Sequence, residues 1–153
     1  MSVQQVTAGP LAVAKGIAHR NDLPQVIRML FDKVYGELPK TKVKQTGQNV
    51  ILYVGSPEAP AMDSPEGMLI EAGVQVAAPF TDGGALISSA TPAGNVATVA
   101  YYGPYDKMAP AYDALNKWCA DNGYKPSGTS WEIYGDWEDD PAKLRTDIYL
   151  LLA

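Results

Sequence analysis

The chain has 153 residues, near the common size of one domain and long enough to bury a core. Its 12 Lys and Arg stand against 17 Asp and Glu, a formal charge of -5, which is the wrong sign for a surface that holds a phosphate backbone and argues against direct binding to nucleic acid. A single cysteine and a single histidine leave no intrachain disulfide and no His-rich metal centre, and make a Ser-His-Asp triad hard to assemble.

The opening MSVQQVTAGP has neither the charged stretch nor the apolar core of a secretion signal. No apolar run approaches the about 20 residues that span a bilayer. A cytoplasmic protein without membrane contact is therefore expected. Residues 11–18, LAVAKGIA, form an apolar run between Pro10 and the polar HRND, as expected of a strand, with His19 at its surface end. A helix follows: Asp22 is suited to cap it and Pro24 to its first turn, while Leu23, Ile27, Leu30, Phe31, Val34 and Leu38 recur at helical spacing. After the polar PKTKVKQTGQ, NVILYVG reads as a second strand, residues 56–66 as a loop and MLIEAGVQVAAPF as a third strand.

The rest of the chain repeats this order. Residues 81–94 carry a short strand and the connection between halves, with Gly83-Gly84 as turn positions. Asn95–Gly103 is a strand leading through Pro104 into a helix that starts near Asp106 and turns Tyr112, Leu115, Trp118 and Cys119 inward. Asn122-Gly123 should end it, SWEIYGDW is a strand with a turn or bulge at Gly135, EDDPAK is a charged turn, and LRTDIYLLLA is the last strand. The expectation is one α+β domain of two strand-helix-strand-strand units, residues 1–80 and 81–153, sharing a curved, mainly antiparallel sheet with both helices on one face.

Alternation puts Ser130, Glu132 and Tyr134 on one side of their strand and Trp131 and Ile133 on the other. In the last strand Asp147, Tyr149 and Leu151 share a side, and Ile148, Leu150 and Leu152 form the more apolar side expected under the helices. The face away from the helices would then mix aromatic rings with acids, as a concave ligand site does. Glu132, mid-strand between aromatic residues, is the leading candidate: an acid there attracts a lipophilic cation or works as a general acid or base. The bland alternative is a pairing with Arg145 across the neighbouring strand. Tyr112 and Trp118, at helical spacing, read as core. Tyr102, Tyr105, Tyr134 and Tyr149, at strand ends and on the acid-bearing face, read as ligand contacts, joined by Tyr53, Trp137 and Asp147.

The run ATVAYYGPYDKMAPAYDALNKWCADNGYKPSGTSWEIYGDW, with DDPAKLRTDIYLLL after it, resembles the GyrI-like family, the effector-binding domain of bacterial AraC-type and multidrug-sensing MerR-type regulators. The resemblance rests on Tyr101-Tyr102-Gly103-Pro104-Tyr105, Trp118, Gly123, Trp131-Glu132-Ile133-Tyr134, Pro141 and Thr146-Asp147-Ile148-Tyr149. Its specific part covers residues 94–152; the first half agrees in element order. The resemblance implies a pseudo-twofold pair of strand-helix-strand-strand (SHS2) units with a ligand cleft between them. It also implies a glutamate at Glu132 facing a cationic drug and a tyrosine at Tyr149 in the surrounding wall. The final strand departs from the family in carrying Asp147 and in lacking the later proline. The chain has no room for a helix-turn-helix, so a regulator role would need another chain.

Three functions follow as expectations. The first is sequestration or sensing of a hydrophobic, aromatic or cationic small molecule around Glu132. The second, implied by free-standing relatives, is hydrolysis of cyclopropane-bearing or other electrophilic natural products, with Glu132 and a tyrosine, Tyr102, as catalytic groups. The third is a modulator that contacts DNA gyrase, for which the acidic cluster Asp136, Glu138, Asp139 and Asp140 would mimic phosphate charge, although a solvated turn explains it more simply. No cofactor or metal is expected, and the oligomeric state is left open.

Overall fold

The computed structural model describes residues 1–56 and 61–153; residues 57–60, inside the expected 56–66 loop, lie outside the described residues. The elements in chain order are β1 (Ser2–Val6), β2 (Gly9–Ala18), α1 (Leu23–Glu37), β3 (Asn49–Val54), β4 (Met68–Gln75), β5 (Ile87–Thr91), β6 (Gly94–Tyr102), α2 (Ala109–Asp121), β7 (Pro126–Tyr134) and β8 (Arg145–Leu152). Short 3₁₀ turns sit between several of them. The expected strands and both helices are present. The polar β1 adds a strand that hydropathy does not announce. The Asp22 carboxylate does not cap α1; it turns back to accept the His19 backbone N–H at 2.7 Å. The helix at residue 106 is first a 3₁₀ turn, Tyr105–Lys107, and becomes α-helical at Ala109. Gly123, at φ +77, takes the left-handed turn that ends α2.

All eight strands form one sheet in the order β1-β6-β8-β7-β3-β4-β2-β5, every neighbouring pair antiparallel. Exchanging β1 to β4 with β5 to β8 reproduces that order in reverse. The corresponding strands β3 and β7 thus pair at the centre, and each unit lends its first strand to the outer edge of the other: β1 lies on β6, and β5 on β2. Both helices cover one face. Leu30 and Val34 of α1 pack on Ala12, Ile51, Ile70 and Ala72, and Leu115 and Cys119 of α2 pack on Ala97, Ile148 and Leu150. Cys119 is accordingly a small core residue whose thiol burial pushes upward in pKa.

The other face has no helix among the described residues, yet Leu11, Val13, Val50, Leu52, Val96 and Trp131 on it are buried. A flat sheet would leave them in water. The sheet instead curls into a half-barrel with this face inside and the helices outside. Rings and acids do lie on the helix-free face, since Trp131, Tyr149, Glu71 and Asp147 share it, but its middle is closed by curvature, and the expectation that Glu132 and Tyr134 belong to it is overturned. Register explains the error. Glu132 pairs with Ile148, Trp131 with Tyr149 and Ile133 with Asp147, so Glu132 lies on the helix-covered face and Asp147 and Tyr149 on the concave one. Alternation assigns sides within a strand; only pairing fixes the phase between strands. Among the described residues no helix is long and apolar enough to cross a membrane.

Candidate functional site

On the helix-covered face α1 lies over β2 and β4, and α2 over β6. The central pair β3 and β7 runs between the helices. The side chains that rise from it are Tyr53 of β3 and Ser130, Glu132 and Tyr134 of β7, and Tyr112 reaches in from α2. Tyr134 packs against the cores under both helices, and Tyr105 stands edge-on to it, ring centroids 5.3 Å apart at 85°. The join of the two units is thus lined by aromatic rings around one carboxylate.

That carboxylate is buried, with 4% of Glu132 exposed. The Tyr112 and Tyr134 hydroxyls donate to its two separate oxygens. The Tyr53 phenol, one strand across, lies near enough to favour the ionised carboxylate. Among the described residues no Lys or Arg forms an ion pair with Glu132. The anticipated alternative, a pairing with Arg145, is not formed: Arg145 lies opposite Tyr102, on the other face, and bonds Asp147 at 2.9 Å.

Burial is the largest influence on the Glu132 carboxyl and raises its pKa; the three phenol hydrogen bonds favour the ionised form and only partly offset it. Tyr53, Tyr112 and Tyr134 are pushed well above the ordinary tyrosine value, first by burial and next by the charge of Glu132. They stay protonated near neutral pH and act as donors. Neutral donors spread a negative charge without cancelling it, so the arrangement can attract a cation, or hold a proton and release it to a bound molecule. Among the described residues no three His, Cys, Asp or Glu side chains stand together as a metal site requires.

The expected ligand residues divide into two groups. Glu132, Tyr53, Tyr105 and Tyr134 come together. Tyr102, Tyr149 and Asp147 lie across the sheet: Tyr149 stacks on Trp131 at 5.5 Å and 11°, and the exposed Tyr102 ring sits under the Arg145 guanidinium at 5.8 Å. Trp137 is 72% exposed in the β7–β8 turn. A shallow cleft of about 400 Å³ on that side gathers Tyr102, Ile133, Arg145 and Asp147, and a larger one of about 480 Å³ lies at the far end of the first unit. Neither is lined by Glu132, although Tyr134 borders the smaller one, so the hydrogen-bonded carboxylate marks the candidate site. Tyr112 is the member that helical spacing hides. Its signal is a polar tip on an inward stripe, which needs a partner when buried. In the acidic turn Asp136 accepts from Gln48 at 3.0 Å and Asp140 from the Ala142 N–H at 3.0 Å, which are structural uses.

Residues 1–153 match the GyrI-like small molecule binding domain. The chain belongs to that family. No curated protein matches it in sequence. Among solved structures this GyrI-like domain is similar to the EcmrR C-terminal domain, with 22% identity over 99% of this chain and 96% of that one and a TM-score of 0.74. In the EcmrR-DNA complex of EcmrR-RPo it spans 56% of the regulator chain, with 19% identity and a TM-score of 0.76. SAV2435 bound to tetraphenylphosphonium is 14% identical over 99% of this chain and 93% of that one, with a TM-score of 0.69. A hydrolase encoded by lin2189 from Listeria innocua is 10% identical over 99% and 91%, with a TM-score of 0.61. At these identities the likeness is one of fold. The GyrI-like domain is a small-molecule binding domain, and its two units share the half-barrel sheet with both helices outside.

Proposed function

We propose that this domain binds a lipophilic organic cation at the join of its two units, for sensing or sequestration. Glu132 supplies the counter-charge, and Tyr53, Tyr105, Tyr112 and Tyr134 supply the walls. The observation that carries the reading is a buried carboxylate bonded by two phenols, with a third beside it and no cationic partner among the described residues. A cation that reaches it neutralises a charge that burial has made costly, and gains about 0.5 to 2 kcal/mol from each ring face it meets. The carboxylate is closed off in this conformation, so entry requires Tyr112 or Tyr134 to swing aside. SAV2435, of similar fold, carries tetraphenylphosphonium, a cation of this class. Tyr102, Tyr149, Asp147 and Trp137, across the sheet or in its turn, take no part.

A second reading is favoured by the raised pKa of Glu132. A carboxyl that keeps its proton can protonate the opening ring of a cyclopropane-bearing or related electrophile while water adds to it. The Listeria innocua hydrolase has a similar fold. In that reading the hydroxyl that holds developing charge is Tyr112, replacing the expected Tyr102. The gyrase-contact reading has no supporting feature in the site.

Fluorescence titration with rhodamine 6G separates these. Glu132→Gln is expected to weaken binding by at least about 1 kcal/mol, as loss of a charged partner does; unchanged affinity rejects the assigned role. The same two proteins incubated with a cyclopropane-bearing alkylator and followed by mass test turnover: loss no faster than in buffer ends the hydrolytic reading.

A further inference from the structure

The two units differ most where α1 leads into β3. The α2–β7 connection is residues 122–125, whereas the α1–β3 connection runs over residues 38–48. The longer segment, tied to the end of β4 by Thr46 and Gln48, borders with the β4–β5 connection an open cleft of about 480 Å³. That volume is in the range of small-ligand sites.

Its walls are fixed by hydrogen bonds and packing. Thr46 N–H donates to the Gln75 carbonyl at 2.9 Å, and Val76 N–H to the Pro10 carbonyl at 3.1 Å. Phe80 N–H donates to Ser88 Oγ at 3.2 Å, and Gly83 lies against the Phe80 ring so closely that a Cβ there would come within 2.2 Å of it. Val43, Val76 and Phe80 give an apolar floor that continues into the core under α1. Alternation along the extended segment turns Val43 inward and leaves Lys42 and Lys44 on the rim, both exposed. Neither lysine forms an ion pair among the described residues, although acids outnumber bases 17 to 12 in the chain.

We propose that this cleft is a second binding site, for a small amphipathic organic anion. A carboxylate-class head lies between Lys42 and Lys44, and the apolar body lies over Val43, Val76 and Phe80. The two ammonium groups outnumber the one carboxylate in the lining, Asp82, so the cleft is net positive and favours an anion, and the floor selects for a hydrocarbon part. The ligand is opposite in charge to the one proposed at Glu132, and the α2–β7 connection, residues 122–125, is too short to form the corresponding wall in the second unit.

The test uses octanoate as probe, with acetate as the head alone and octylammonium as the same tail with reversed charge, each followed by backbone amide NMR shifts in the whole chain. Octanoate is expected to shift Val43, Val76 and Phe80, and to bind at least about tenfold more weakly to Lys42→Glu/Lys44→Glu. Retention of binding in Lys42→Arg/Lys44→Arg and in Glu132→Gln is expected too. Because both lysines are exposed, the remaining amides report that the variants are folded. The proposal is overturned if octanoate leaves these amides unmoved, if the charge-reversed variant binds it as well as the parent, or if acetate or octylammonium produces the same shifts with equal affinity.

Discussion

Trp131 and Glu132 are neighbours on β7 and almost equally buried, at 2% and 4%, yet they face opposite environments. Trp131 points into the curl of the sheet, where Tyr149 stacks on it and Val50, Leu52 and Ile133 complete a hydrocarbon interior. Glu132 points into the space between the helices, where its hydrogen-bond partners are hydroxyls. Burial alone therefore does not separate a structural residue from a functional one. What separates them is what the neighbours supply: stacked and packed apolar groups around Trp131, and neutral hydroxyls that leave a charge unmatched around Glu132.

This contrast can be broken from either side. The largest effect is expected for Trp131→Ala, which opens a cavity in the curl and costs about 3 to 5 kcal/mol in urea unfolding; a loss under about 1 kcal/mol would mean that the curl is not held from within. Tyr112→Phe removes a donor to a buried charge, with an expected loss of about 1 to 3 kcal/mol at neutral pH that shrinks in acid, as Glu132 becomes protonated. A loss that is independent of pH would assign Tyr112 to packing alone.

Glu132→Gln gives the smallest effect and the sharpest sign. The folded carboxyl titrates above its ordinary 4.5, so the folded chain keeps a proton that the unfolded chain has released. Its contribution to stability is complete below the ordinary value and is lost as pH rises through the raised one. The glutamine variant should therefore gain on the parent from acid to neutral pH, by about 1.4 kcal/mol for each unit of the raise. Melting temperatures across that range check it, and a gap that closes toward neutral pH would show that the hydroxyls outweigh burial.

Much of this was legible in the sequence because it is local. Helical spacing finds both helices, apolar runs between turn residues find the six longer strands, and an acid between aromatic residues singles out Glu132. The failures are relations between segments. Nothing in LRTDIYLLLA says that Ile148 rather than Tyr149 pairs with Glu132, and a one-residue change of register would exchange the faces. Helical spacing assigns Tyr112 to the core because inward spacing cannot tell a packed interior from the space between two helices. The polar SVQQV of β1 carries no strand signal, since it is an edge strand defined by its pairing with β6.

The exchange of first strands between the units bears on how the chain folds. Gly9 meets Thr91, and Ser2 meets Thr98, so neither outer rim can close while only the first unit has left the ribosome. Late, long-range pairing of this kind slows folding. It also means that the repeats cannot be cut apart as modules: a break between them would strip a border strand from each, as happens when a swapped dimer is pulled apart.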